Sequence, residues 1–186
     1  MQPDFAIRGY AIVCSGGMIA DANKAMPDGL KWEADHRFFE QQLAHVDLIL
    51  HGRLSHEGFS STSDRRRFWL TRSVAALEPD PDGGPQWMWN PKGITLEAAA
   101  TSLGLTKGVV AVLGGTSTYD LFLPNYDSFY LSRAGKTHIP GGTPVFSAVR
   151  DGLTPEEILT RHGLAPEPTL ILDADNDVSV THWRRA

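Results

Sequence analysis

The stretch Val109-Val110-Ala111-Val112-Leu113-Gly114-Gly115-Thr116-Ser117-Thr118-Tyr119 decides how this chain is read. Five consecutive apolar residues without polar alternation describe a strand buried on both faces, the habit of parallel sheets. Two glycines end it, and Tyr119, Phe122 and Leu123 then share one face of a helix that Pro124 stops. A strand running through glycines into a helix start leaves backbone amides unpaired where a phosphate can come close. Glycine also serves such turns for steric reasons alone, so the stretch sets an element order and permits an anion site.

The flanking segments extend the same alternation. Phe5–Cys14 is an apolar strand that ends at Ser15-Gly16-Gly17, and residues Ile19–Lys31 mix Asp, Asn, Pro and Gly as a long loop does. Phe38, Phe39 and Leu43 recur at helical spacing within Glu33–Ala44, and Val46–Leu50 is a second buried strand. Strand, helix, strand in that order predicts a right-handed parallel crossover. Further strands are expected at Arg67–Thr71 and Ser128–Ser132, a surface turn at Glu78–Pro85, a helix over Thr95–Leu105 and a Gly/Pro-rich loop from Gly135 to Pro144. Thr154-Pro155-Glu156-Glu157 reads as a capping box opening a short helix, and Thr169–Leu172 with Val178–Trp183 as a terminal hairpin. The expected architecture is α/β: a mainly parallel central sheet, an antiparallel C-terminal edge hairpin and helices on both faces.

Length and composition narrow the function. The chain has 186 residues, enough for one domain spanning 1–186, and 41% hydrophobic residues, an ordinary globular share. Cys14 is the only cysteine, which excludes an internal disulfide and a zinc site built on several thiolates. The opening MQPDFAIRGY lacks the basic start and apolar core of a secretory signal, and no apolar run approaches a bilayer span, so a soluble cytoplasmic protein is expected, with no membrane partner. A formal net charge of -5 argues against nucleic-acid binding, Arg65-Arg66-Arg67 being a local exception that reads either as solvated surface or as facing an anionic ligand. Asp173-Ala174-Asp175-Asn176-Asp177 imitates a calcium loop without its Gly and closing Glu, and His51 with His56 lacks a third ligand, so no metal is expected. A monomer or homodimer acting on a small molecule remains.

Residues Val112–Pro124, followed by Phe129-Tyr130-Leu131-Ser132, resemble the NADPH-binding segment of dihydrofolate reductases and of the related riboflavin-pathway reductase domains. Ala22-Asn23-Lys24-Ala25-Met26-Pro27 looks like the family's loop over the nicotinamide, Leu48–Glu57 like its Gly-Arg-x-Thr-x-Glu turn, and Gly141-Gly142-Thr143 like its late Gly-Asp-Thr loop. The resemblance covers roughly residues 6–146 and implies the dihydrofolate reductase-like three-layer fold with NADPH as cofactor. It implies that Leu113, Gly114, Gly115, Thr116, Ser117, Thr118 and Tyr119 hold the pyrophosphate across a strained, cis Gly114-Gly115 peptide. Arg53 and Ser55 would approach the phosphates, Arg72 the 2′-phosphate, and Ala11, Ile19 and Ala20 the nicotinamide ring, with Gly52, Thr71 and Thr143 also among the cofactor-binding residues. Arginine suits phosphate because its planar fork takes two oxygens. An exposed ion pair is the plainer reading of Arg53 and Arg72.

Hydride transfer to a C=N bond leaves a nitrogen that needs a proton. The resemblance places the family's carboxylic acid at Asp35, with Glu33 or Asp28 as alternatives, and implies that Met26, Asp28, Phe39 and Ser132 face the substrate. Asp28 stands where dihydrofolate reductases usually carry Trp, and Ser132 where Thr commonly fixes the acid. The implied function is hydride transfer from NADPH to a pterin-like substrate such as dihydrofolate. The alternatives are a riboflavin-pathway reductase acting on a ribosylaminopyrimidine phosphate, a non-catalytic NADPH-binding module, or a scaffold whose glycines only turn the chain.

Overall fold

The computed structural model of the chain describes residues 4–53 and 65–185. Along it run strands β1 (Asp4–Cys14), β2 (Met18–Ala20), β3 (Leu48–Gly52), β4 (Arg67–Leu70), β5 (Leu77–Pro79), β6 (Gln86–Trp89), β7 (Lys107–Val112), β8 (Ser128–Ala134), β9 (Thr143–Pro144), β10 (Leu164–Pro166), β11 (Leu170–Asp173) and β12 (Val178–Arg185). The helices are α1 (Glu33–Leu43), α2 (Leu96–Ser102), α3 (Thr116–Phe122) and α4 (Pro155–Arg161). The expected α/β alternation is present, and the mixed sheet is mostly parallel with an antiparallel edge.

β1 lies between β7 and β8 and is parallel to both. The crossover through α1 does not pair β1 with β3; it leaves a gap that β7 fills, parallel to each. β4 and β6 extend the parallel array, and β5 closes that side antiparallel to β6. On the other side β12 runs antiparallel to β8 and carries β10 and β11 on its far edge. β2 and β9 form a small sheet of their own.

The central strands are apolar because both of their faces are covered. Val110, Ala111 and Val112 are wholly buried, full burial of each valine favouring the fold by roughly 1.5–3 kcal/mol. On one face Ile7, Val13, Val110, Val112, Leu50 and Phe129 pack against α2, α3 and α4. On the other, Tyr10, Ile49 and Ala111 meet Leu43 and Phe39 of α1. These are the three layers.

Local sequence explains the helix starts. Thr95 caps α2 by accepting from the Ala98 amide, and Thr154 and Glu157 exchange both bonds of the expected capping box at α4. Several expectations need correction. The loop from Ile19 is shorter than read, since Ile19 and Ala20 belong to β2 and Asp28–Leu30 forms a 3-10 turn. Glu78–Pro85 is not all surface: Glu78 and Pro79 end β5, and Asp80 is buried, accepting from the Trp69 indole at 2.6 Å and from the Asp82 amide. Arg65 is not a free surface arginine but donates to the carbonyls of Leu43 and Val46, where α1 ends, and Arg67 is buried in β4. Asp173 holds the hairpin turn through the amide and side chain of Asn176.

Candidate active site

The turn between β7 and α3 is tied to the neighbouring strand end. The Gly52 amide donates to the Gly114 carbonyl at 2.6 Å, and the Leu113 amide to the Leu50 carbonyl at 2.8 Å. The Gly114-Gly115 peptide is cis and Gly114 has a φ of +105°. A Cβ on Gly114 would stand 3.0 Å from the Tyr119 ring, whereas one on Gly115 would meet nothing within 4 Å. The turn is closed on the Gly114 side and open on the Gly115 side. The amides of Thr118 and Tyr119 both return to the Gly115 carbonyl, so those of Thr116 and Ser117 are first-turn donors without a carbonyl inside the helix.

Some side chains of this segment are spent inside the protein. Thr118 and Tyr119 are buried, and the Tyr119 hydroxyl donates to the Tyr10 carbonyl at 2.5 Å. The Thr116 hydroxyl donates to the Pro144 carbonyl of β9, and the Thr143 hydroxyl to the Asp21 carbonyl at 3.0 Å. Of the side chains in the expected phosphate cradle, Ser117 is the exposed one.

Asp35 lies in the first turn of α1, partly buried over β8. Burial raises its carboxyl above the ordinary range, and the Ser132 hydroxyl facing it opposes part of that rise. Ser132 is buried on β8, on the same face as Tyr130, since strand residues two apart share a face. Of the other candidate acids, Glu33 is exposed beside Arg37 and Asp28 is exposed and paired with Lys31 at 2.9 Å. Only Asp35 combines burial with a partner on the sheet.

The remaining expected residues divide. Phe39 packs under α1 edge-on to Tyr10, with ring centroids 5.9 Å apart. Ala11 and Ile19 line the core beside β1, and Ala20 pairs with Thr143. Met26 is exposed on the loop between β2 and the Asp28 turn, where Asp21 accepts from the Asn23 and Ala25 amides. Both ends of that loop are held by the segment after β8, Thr143 binding Asp21 and the Thr137 hydroxyl donating to the Gly29 carbonyl at 2.7 Å. Thr71 follows β4 with its hydroxyl on Ser73, and Arg72 next to it is exposed. Neither Arg72 nor Arg53 is in an ion pair among the described residues. Ser55 lies outside the described residues. Among those described, no three His, Cys, Asp or Glu side chains converge as a metal site, and no helix is long and apolar enough to cross a membrane. Two grooves, of about 210 and 310 Å³, lie against α2, α3 and α4 and include neither Asp35 nor the glycine turn.

Neither a protein-family model nor a curated protein matches this sequence. Solved structures do match over nearly its whole length. A dihydrofolate reductase from Enterococcus faecalis, complexed with NADP(H) and RAB-propyl, superposes with a TM-score of 0.63 at 15% identity, over 97% of this chain and 96% of that one. This chain has the dihydrofolate reductase-like fold. A Shewanella protein described as a riboflavin biosynthesis protein shares that fold at a TM-score of 0.64 and 17% identity, over 97% of this chain and 99% of its own. A Thermotoga maritima deaminase/reductase named for an aminopyrimidine and an aminouracil substrate does so at 0.65 and 12% identity; this chain spans 57% of its length. Sequence reasoning missed the ring of Tyr10 under α1, though Arg8, Tyr10 and Ile12 alternate as residues on one strand face do.

Proposed function

We infer that the chain is an NADPH-dependent reductase that transfers a hydride to a C=N bond or carbonyl of a pterin-like or aminopyrimidine ring, with Asp35 assisting protonation. The observation that carries this reading is the Asp35–Ser132 pair. A carboxyl raised by burial stays protonated at a pH where an exposed one has ionised, and so can give a proton to a ring nitrogen. Ser132 orients it from the sheet, as Thr does in the family this chain resembles.

The residues of the glycine turn fit a dinucleotide phosphate. The open side of Gly115, the first-turn amides of Thr116 and Ser117 and the cation of Arg53 would hold the pyrophosphate, and Arg72 the 2′-phosphate. NADPH, when bound, supplies the hydride. Ala11 and Ile19 keep water from the ring beside them, and the doubly held loop bearing Met26 covers that side. A lone buried thiol at Cys14 suits the reducing cytoplasm in which NADPH is abundant.

Asp28, exposed and paired with Lys31 where dihydrofolate reductases usually carry Trp, favours a second reading in which the substrate is a ribosylaminopyrimidine phosphate. Following nicotinamide absorbance with dihydrofolate and then with that phosphate tests both. Turnover of either supports the reading, and NADPH binding without any turnover would leave a cofactor-binding module.

A further inference from the structure

The sheet beneath Asp35 is paved with rings. Strand register sets Tyr10 of β1 beside Tyr130 of β8, and Tyr130 beside His182 of β12. The rings stack across the strands, Tyr10 on Tyr130 at 5.1 Å and Tyr130 on His182 at 4.1 Å, each nearly parallel. Ser132, the partner of Asp35, is two residues along the same face of β8. On α1, Phe38 and Phe39 follow Asp35 by three and four residues and so share its side of the helix. They descend onto the same row, Phe38 over Tyr130 at 5.8 Å and Phe39 against Tyr10 at 5.9 Å.

One helical turn from the acid, the space between α1 and the sheet is thus taken by Tyr10, which is only 5% exposed and wedged between Phe39 and Tyr130. Its hydroxyl reaches no hydrogen-bond partner of normal geometry among the described residues. Burial pushes that hydroxyl up to about 12, with Arg8 beside it pulling the other way. The ring is therefore held by packing, and its contribution to the cleft is volume.

We propose that Tyr10 is the specificity-determining residue of this site, its ring closing the cleft one turn from Asp35 so that a single six-membered heterocycle fits and a fused bicyclic one does not. The proposal rests on the Asp35 cleft being the substrate site. A second ring extending along α1 from the acid meets Tyr10 and Phe39, and a single methylene in excess already changes binding in a hydrophobic pocket by about 10- to 200-fold.

The test is a ligand-observed NMR titration of the whole chain, with and without NADPH, using two probes that lack any tail: diaminouracil, with one ring, and pterin, with two fused rings. Wild type should bind diaminouracil at least about tenfold more tightly than pterin. Tyr10→Leu should narrow that ratio by about tenfold, and Tyr10→Phe, which keeps the ring, should retain it. Equal or tighter pterin binding by wild type overturns the proposal whether or not the leucine variant folds, which near-ultraviolet circular dichroism follows. Asp35→Asn separates the two levels. If neither probe binds, or if Asp35→Asn leaves binding unchanged, the cleft is not the substrate site and the functional reading falls with the proposal. If binding needs Asp35 but does not discriminate, only the role of Tyr10 falls.

Discussion

Gly114 and Gly115 are chain neighbours with opposite tolerance for a methyl group. At Gly114 the φ of +105° is one that residues with side chains rarely adopt, and a Cβ would lie 3.0 Å from the Tyr119 ring and hydroxyl. Tyr119 has nowhere to go: its hydroxyl is bonded to the Tyr10 carbonyl, and its ring packs on Phe129 and Phe146. Backbone strain of this kind costs about 1–3 kcal/mol and overpacking about 1–3 kcal/mol. Gly114→Ala should then lose about 2–6 kcal/mol, which at about 2–4 °C per kcal/mol for a chain of this size lowers Tm by about 4–24 °C. Gly115 has a φ of -75° and open space beyond it, so Gly115→Ala should stay within about 0.5 kcal/mol of wild type. That space is where a phosphate would approach, and the new methyl group would occupy it. NADPH at about a hundred times its Kd should stabilise wild type by about 2.7 kcal/mol. Thermal unfolding of the three proteins with and without NADPH should show a destabilised Gly114→Ala and a stable Gly115→Ala that has lost most of the NADPH shift. A full NADPH shift in Gly115→Ala would refute the reasoning that places phosphate at this turn.

Asp35→Asn should lower the rate of NADPH oxidation by about 100- to 10,000-fold, and the wild-type rate should fall as pH rises through the raised value of this acid. The same substitution should raise Tm at neutral pH. A carboxyl held above its unfolded value binds more protons in the folded state, so its charged form weighs against folding above that range, and the gain should vanish below the unfolded value of about 3.9. Arg72→Gln should weaken NADPH by about 10- to 150-fold, from the loss of about 1.5–3 kcal/mol in a charged hydrogen bond, and leave NADH unchanged; equal losses for both cofactors would remove the 2′-phosphate from Arg72. Thr154→Ala removes the capping box of α4 and should cost about 0.5–2 kcal/mol in chemical denaturation without altering activity.

What was legible in the sequence is what depends on near neighbours. The helical spacing of Phe38, Phe39 and Leu43, the apolar run into Gly114 and the Thr154 box are each complete within a few residues, and each stands where expected. β6 was not legible: Trp87 and Trp89 sit between Pro85 and Pro91, and it is pairing with β4 on one side and β5 on the other that makes that stretch a strand. The insertion of β7 between β1 and β3 is likewise a matter of partners distant in sequence. At the site, the glycines and Asp35 were visible by resemblance. The inward hydroxyls of Thr116, Tyr119 and Thr143 were not, because what they bind is supplied by β9, β1 and the residue after β2. Arg65 misled for the same reason, its acceptors lying 19 and 22 residues away.

The central claim is that a dinucleotide pyrophosphate rests on the open side of the turn after β7. Phosphorus NMR of NADPH titrated with the protein observes those phosphates themselves. The account predicts that both pyrophosphate resonances shift and broaden with wild type and stay near their free positions with Gly115→Ala. Pyrophosphate resonances that ignore wild type, or respond equally to both proteins, would contradict it.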